Sequence, residues 1–139
     1  MKARVKWAEN RTFIGKSGTG HSFVFGTKEE DGSTPGPSPM ELVLIGTGGC
    51  SAYDVVSILE KGREPVEDVV VELDAERAEG TPAVFTRIHM HFIVKGRGVN
   101  PAKVERAIQL SVEKYCSASA MMAKTAEVTH DFEVVDSPA

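Results

Sequence analysis

Cysteine is scarce in this chain: Cys50 and Cys116 are the only two in 139 residues. Two thiols do not make a disulfide framework, so they are either inert core residues or a redox pair. Charge is also modest. The net value is -4 and no run of Lys or Arg stands out, which argues against a nucleic-acid or anionic-membrane partner. No uninterrupted run of about 18 apolar residues occurs, so no membrane span is expected. The opening stretch MKARVKWAEN lacks the apolar centre of a signal peptide, which leaves the cytoplasm as the expected compartment. There is no internal repeat and no low-complexity tract. The glycine-rich stretches GKSGTGH and GTGG lack the context of a P-loop or dinucleotide fingerprint. Hydrophobic content of 41% and charged content of 26% suit one ordinary globular domain spanning residues 1–139.

What is present is a clear order of elements. Ala3, Val5 and Trp7 alternate with Lys2, Arg4 and Lys6, the pattern of a half-buried strand. TFIGKSGTGHSFVFG follows as two short strands around a turn at Gly18 to Gly20, and residues 27 to 37 read as a loop. The first helix starts at Ser38-Pro39, with Glu41 placed to close a capping box, and runs to about Leu59 with Gly62 as its stop. VEDVVVELDAERA and AVFTRIHMHFIVKG are two long strands joined by EGTP. A second helix opens at Asn100-Pro101, carries Val104, Ala107, Ile108 and Tyr115 at helical spacing, and ends near Cys116. SASAMMAKT is a short further helix or turn, and Val128 to Val135 is a last strand. The order βββ-α-ββ-α-α-β predicts an α+β fold with mostly antiparallel strands.

The first helix is unusual. SPMELVLIGTGGCSAYDVV places Gly46, Gly48 and Gly49 inside an apolar helix, just ahead of Cys50. Each costs roughly 0.8–1 kcal/mol relative to alanine, together roughly 2.5–3 kcal/mol. Tight helix packing and a cleared approach to the thiol both offset such a cost, and the two are compatible. At about 100° per residue, the neighbours of Cys50 are Gly46, Thr47, Tyr53 and Asp54, while Glu41 lies about 180° away as a capping residue. Asp54 is out of place, because a carboxylate beside a thiol repels a thiolate unless a cation intervenes. A bond to a helix terminus or an arginine is its simplest role. The rest of the helix is apolar almost all round: Leu42, Val43, Leu44, Ile45, Ala52, Val55, Val56 and Ile58. Such a helix needs burial on most sides, and a second copy of the chain can supply it. Each cysteine sits on its own helix. If the helices pack together, a sulfenate formed at one thiol is captured by the other.

SPMELVLIGTGGCSAYDVVSIL and VEKYCSASAMM together resemble the two cysteine helices of the OsmC/Ohr family, closest to its YhfA-type branch. ARVKW, SGTGHSFVF, HFIVKGRG and THDFEVV extend the resemblance over essentially the whole chain. The resemblance implies an OsmC-like fold, with antiparallel sheets wrapped around two central helices in an intertwined homodimer. It implies a thiol peroxidase acting on organic hydroperoxides in oxidative or osmotic stress defence. Cys50 would be the peroxidatic thiolate and Cys116 the resolving partner. A small dithiol or a thioredoxin-like protein would be the reductant, and no metal or organic cofactor is needed. One position departs from the pattern. Peroxidase members carry glutamate directly after the helix-starting proline, paired with an arginine from the N-terminal strands; here that position is Met40. The matching arginine is Arg11, and Asp54 is the carboxylate left on the other side of Cys50. Two other readings stay open: a non-catalytic dimer that binds a small apolar ligand, and a Cys50-based thiol hydrolase or carrier.

Other polar residues carry weaker signals. His21 follows the SGTG turn, where it either lines the site or bonds the turn. His89 and His91 share one face of a strand. With no third ligand close in sequence, a polar strand face explains them more simply than a metal. Ser51, Ser117 and Ser119 are read as hydrogen-bonding or capping serines, and Met121 and Met122 as packing residues.

Overall fold

The computed structural model describes residues 1–138. Its elements run β1 (Ala3–Glu9), β2 (Thr12–Ser17), β3 (Ser22–Gly26), α1 (Pro39–Lys61), β4 (Val66–Arg77), β5 (Phe85–Gly96), α2 (Pro101–Leu110), a π turn (Ser111–Tyr115), α3 (Ser117–Met122) and β6 (Glu127–Asp136). This is the expected α+β order. Contacts divide the chain into two compact units, Met1–Ile45 and Gly46–Ala139, with the division falling inside α1.

The first unit is an antiparallel sheet in the order β1-β2-β3. Its register sets Trp7 against Phe13, Phe13 against Phe25, and Gly15 between Val5 and Phe23. Side chains alternate across a strand, so Val5, Trp7, Phe13, Phe23 and Phe25 share one face. Gly15 is required there, because a Cβ would lie 2.8 Å from the Phe23 ring. The apolar face of β1 was expected to be half-buried, yet Val5 and Trp7 are 64% and 63% exposed. At the end of this unit the capping box forms as read: Ser38 Oγ accepts from the Glu41 N–H at 3.2 Å, and Glu41 Oε1 accepts from the Ser38 N–H at 3.0 Å. Those bonds hold the Glu41 carboxyl below its usual range.

The second unit holds a sheet in the order β4-β5-β6. β4 and β5 are antiparallel, as expected. β6, however, runs parallel to β5, with Ile88 opposite Val128 and Phe92 opposite Phe132. Purely antiparallel sheets are thus corrected, and the cause is the connection. Two helices lie between β5 and β6 and return the chain to the end where β5 began. Ile88, Met90, Phe92 and Val94 of β5 form the core with Val104, Ala107 and Ile108 of α2 and with Val55 and Leu59 of α1, all fully or almost fully buried. Asn100 caps α2 by accepting from the Ala102 N–H at 2.9 Å, with Pro101 in the first turn.

The helix α1 exceeds the expected length by two residues. Its mean hydropathy of 1.6 over a membrane-length window makes it long and apolar enough to cross a bilayer by composition alone, although no uninterrupted apolar run exists. Core helices of globular proteins share those properties. Its buried residues, Thr47, Gly48, Ser51, Val55 and Leu59, fall on one stripe. An opposite stripe of Ile45, Gly46, Gly49 and Tyr53 is exposed, with Ile45 at 59% and Tyr53 at 74%. Only about a quarter of the apolar window is buried within the chain.

Candidate thiol site

At about 100° per residue, Cys50 and Asp54 fall on the boundary between the buried and exposed stripes of α1. The three glycines divide along the same line. A side chain at Gly48 would clash with Leu73 of β4, at 2.5 Å from Cδ1, so Gly48 serves packing within the chain. A Cβ at Gly46 or Gly49 would meet no atom within 4 Å. Those two glycines lie on the exposed stripe that Cys50 borders. Cys50 is accordingly half-buried.

Cys116 arrives by an irregular route. The second helix was expected to continue to Cys116, but α2 stops at Leu110 and a π turn follows. The Cys116 N–H closes it by donating to the Ser111 carbonyl at 2.7 Å. A π turn widens the helix and rotates every later side chain off the α-helical stripe. Tyr115 therefore faces solvent instead of the core, beneath the Lys114 ammonium at 5.2 Å. The backbone turns extended at Cys116, which caps α3. Its sulfur accepts from the Ser119 N–H at 3.3 Å and from the Ser119 hydroxyl at 3.1 Å. The thiol is 2% exposed. Burial pushes its pKa up; the two Ser119 bonds oppose that shift, and the nearby Cys50 adds to it.

The Sγ atoms of Cys50 and Cys116 and a carboxylate oxygen of Asp54 all lie within 4.8 Å of one another. Both thiols are free. Asp54 is held by a residue that sequence reasoning did not single out: Ser111 Oγ donates to Asp54 Oδ2 at 3.0 Å and lies 2.8 Å from Ser51 Oγ. Asp54 was read as bonding a helix terminus or an arginine. It bonds a serine hydroxyl at the start of the π turn and, among the described residues, pairs with no cation. Ser119 serves as a hydrogen-bonding residue, as read. Ser111 carried one usable signal, in that a serine sat where an otherwise amphipathic helix needed an apolar residue.

Arg11 and His21 belong to the first unit. Arg11 lines a cleft of about 640 Å³ with Glu9, Glu29, Glu30 and Asp31, and its backbone N–H donates to Glu29 Oε1 at 3.1 Å. His21 bonds the turn, with Nδ1 3.0 Å from Thr19 Oγ1 and its N–H donating to Ser17 Oγ. On the second sheet, His89 and His91 were read as lacking a third ligand. Parallel pairing of β5 with β6 brings one: Asp131 Oδ1 lies 2.9 Å from His89 Nε2 and 2.8 Å from His91 Nδ1. Thr129 and Glu133 occupy the remaining ring nitrogens. All four nitrogens are thus engaged in hydrogen bonds. Asp131, then Glu133, raises the pKa of His91, and His91, then His89, lowers that of Asp131.

Two three-stranded sheets, helices between the strands and a facing thiol pair define an α+β protein of the OsmC type. A family model described as OsmC-like protein matches residues 30–131, and the chain belongs to that family. The chain is 52% identical over 135 residues to Protein YhfA of Escherichia coli strain K12, covering 97% of this chain and 98% of that one. Among solved structures, an OsmC-like protein from Mycoplasma pneumoniae superposes with a TM-score of 0.82 at 10% identity, covering 96% of each chain. The organic hydroperoxide resistance protein OhrB of Bacillus subtilis superposes with a TM-score of 0.64 at 16% identity, covering 96% of this chain and 98% of that one. At those identities the two structures establish the fold.

Proposed function

We propose that this protein is a dithiol peroxidase that reduces organic hydroperoxides. The observation that carries the reading is the thiol pair: two free sulfurs within 4.8 Å, one reachable and one buried. The Cys50 thiolate attacks the distal oxygen of the hydroperoxide. The O–O bond breaks, the alkoxide takes a proton and leaves as the alcohol, and Cys50 becomes a sulfenic acid. Cys116, as thiolate, attacks the Cys50 sulfur and water departs. The sulfurs close to about 2.05 Å as the disulfide forms. An external dithiol, either small or on a thioredoxin-like protein, then restores both thiols and is itself oxidised. Each turnover converts one hydroperoxide and two thiols into an alcohol, water and a disulfide.

The division of labour follows burial. An attacking sulfur needs access, and Cys50 is the half-buried thiol of the pair. A resolving sulfur needs protection from other oxidants, and Cys116 is enclosed and bonded by Ser119. The reading includes a homodimer. The exposed stripe of α1 and the exposed patch of Val5, Trp7 and Phe23 on β1-β2-β3 are two apolar surfaces of one chain, and a second copy is the partner that would bury them. Arg11 is proposed to steady the thiolate and His21 to line the approach, both from the N-terminal strands of the second copy. The working compartment is proposed to be the cytoplasm, where a resting dithiol stays reduced.

The test is peroxide consumption by the reduced protein with cumene hydroperoxide and a dithiol. Turnover is expected, with peptide mapping showing Cys50 linked to Cys116 in one chain. Cys50→Ser abolishes turnover, and Cys116→Ser leaves a sulfenic acid trappable at Cys50. Free thiols after peroxide, only intermolecular bonds, or a sulfenate at Cys116 in Cys50→Ser would refute the assignment.

A further inference from the structure

We infer that the reduced site binds one zinc ion per chain through Cys50, Cys116 and Asp54. The three ligand atoms already converge within 4.8 Å of one another. A tetrahedral zinc with Zn–S bonds of about 2.3 Å sets its sulfurs about 3.8 Å apart, so side-chain shifts of about 1 Å at most complete the geometry. Cys50 and Asp54 are one helical turn apart on α1 and share a face. Cys116 approaches from the π turn. A water molecule takes the fourth position.

Two features fit a metal site rather than a chance cluster. The first is charge. Two thiolates and a carboxylate carry three negative charges, and among the described residues Asp54 pairs with no cation. A zinc ion displaces one proton from each thiol and leaves the cluster at a net charge of -1. The second is the outer shell. Ser111 orients the Asp54 carboxylate at Oδ2, and Ser119 donates two hydrogen bonds to the Cys116 sulfur. Such partners fix ligand orientation and raise metal affinity. Two thiolates with one carboxylate suit zinc, a borderline-soft ion, better than magnesium or calcium.

The consequence for activity rests on the peroxidase reading: both reacting sulfurs are ligands, so bound zinc blocks attack on peroxide and protects the dithiol from oxidation. Zinc binding itself does not rest on that reading. The test is a zinc titration of the reduced protein without peroxide, in competition with a chromophoric chelator. One equivalent per chain is expected. Binding is lost in Cys50→Ser and Cys116→Ser and weakened at least tenfold in Asp54→Asn. It is weakened about tenfold in Ser119→Ala, the size typical of an outer-shell loss. Alkylating the wild-type thiols with iodoacetamide abolishes binding, a control that needs no variant to fold. No binding by the reduced protein, or binding that survives alkylation, overturns the inference. Peroxide turnover is measured separately with zinc chelated, so either reading can fall while the other stands.

Discussion

Gly49→Leu separates a lone chain from a dimer. In the chain by itself, a Cβ at residue 49 meets no atom within 4 Å. Replacing glycine by a good helix former inside α1 then stabilises the fold by about 0.8 kcal/mol. Unfolding would move to higher urea, and the melting temperature would rise by roughly 2–4 °C. If a second copy packs on the stripe of Ile45, Gly46, Gly49 and Tyr53, the sign reverses. Overpacking a filled contact costs up to about 3 kcal/mol per site. A two-fold interface holds the substitution twice, so association loses about 6 kcal/mol, while the helix-propensity gain is the same in the free chain and cancels. A loss of about 6 kcal/mol raises the dimer dissociation constant roughly ten-thousandfold. Sedimentation and urea unfolding over a range of protein concentrations report both quantities. The wild type is expected to remain dimeric at submicromolar concentration, and Gly49→Leu to dissociate and unfold more easily. A stable wild-type monomer would refute the dimer, and a Gly49→Leu protein that is more stable than wild type and unchanged in assembly would refute packing on this stripe. Gly48→Leu is the contrast, because its side chain meets Leu73 within the chain and weakens the fold whether or not copies associate.

Two further outcomes test the polar networks. Asp131 is the largest cause of the raised His91 pKa, so Asp131→Asn should bring His91 back toward its ordinary value, read from the ring protons by NMR. For a raised pKa, the stabilising contribution is complete below about pH 6.5 and fades as pH rises through the higher folded-state value. The stability gap between wild type and Asp131→Asn should therefore narrow across that window, and an unmoved His91 titration would exclude the pairing. Ser119→Ala removes one of the two donors to the Cys116 sulfur. In a Cys50→Ser background the thiolate absorbance of Cys116 should then appear at higher pH, whereas an unchanged profile would deny Ser119 that role.

Local chemistry made the frame of this protein readable from its residues. Ser38-Pro39 with Glu41, and Asn100-Pro101, are caps whose donors and acceptors lie within three residues of each other, so no distant contact is needed to recognise them. Strand-forming runs on either side of EGTP likewise marked β4 and β5, and alternation marked β6. The two cysteine motifs, read with the elements between them, were enough for the family. The tertiary structure decided what depends on pairing across the chain. Parallel alignment of β6 with β5 set Asp131 between His89 and His91, some 40 residues away in sequence. Ser111 reached Asp54 across 57 residues. A π turn carried Tyr115 out of the core and left Cys116 buried beside Cys50. Three glycines that are equivalent as letters became one packing contact and two open positions, because only the position of Leu73 on a neighbouring strand distinguishes them. Periodicity shows which residues share a face; what lies opposite that face is set by the path of the chain between elements.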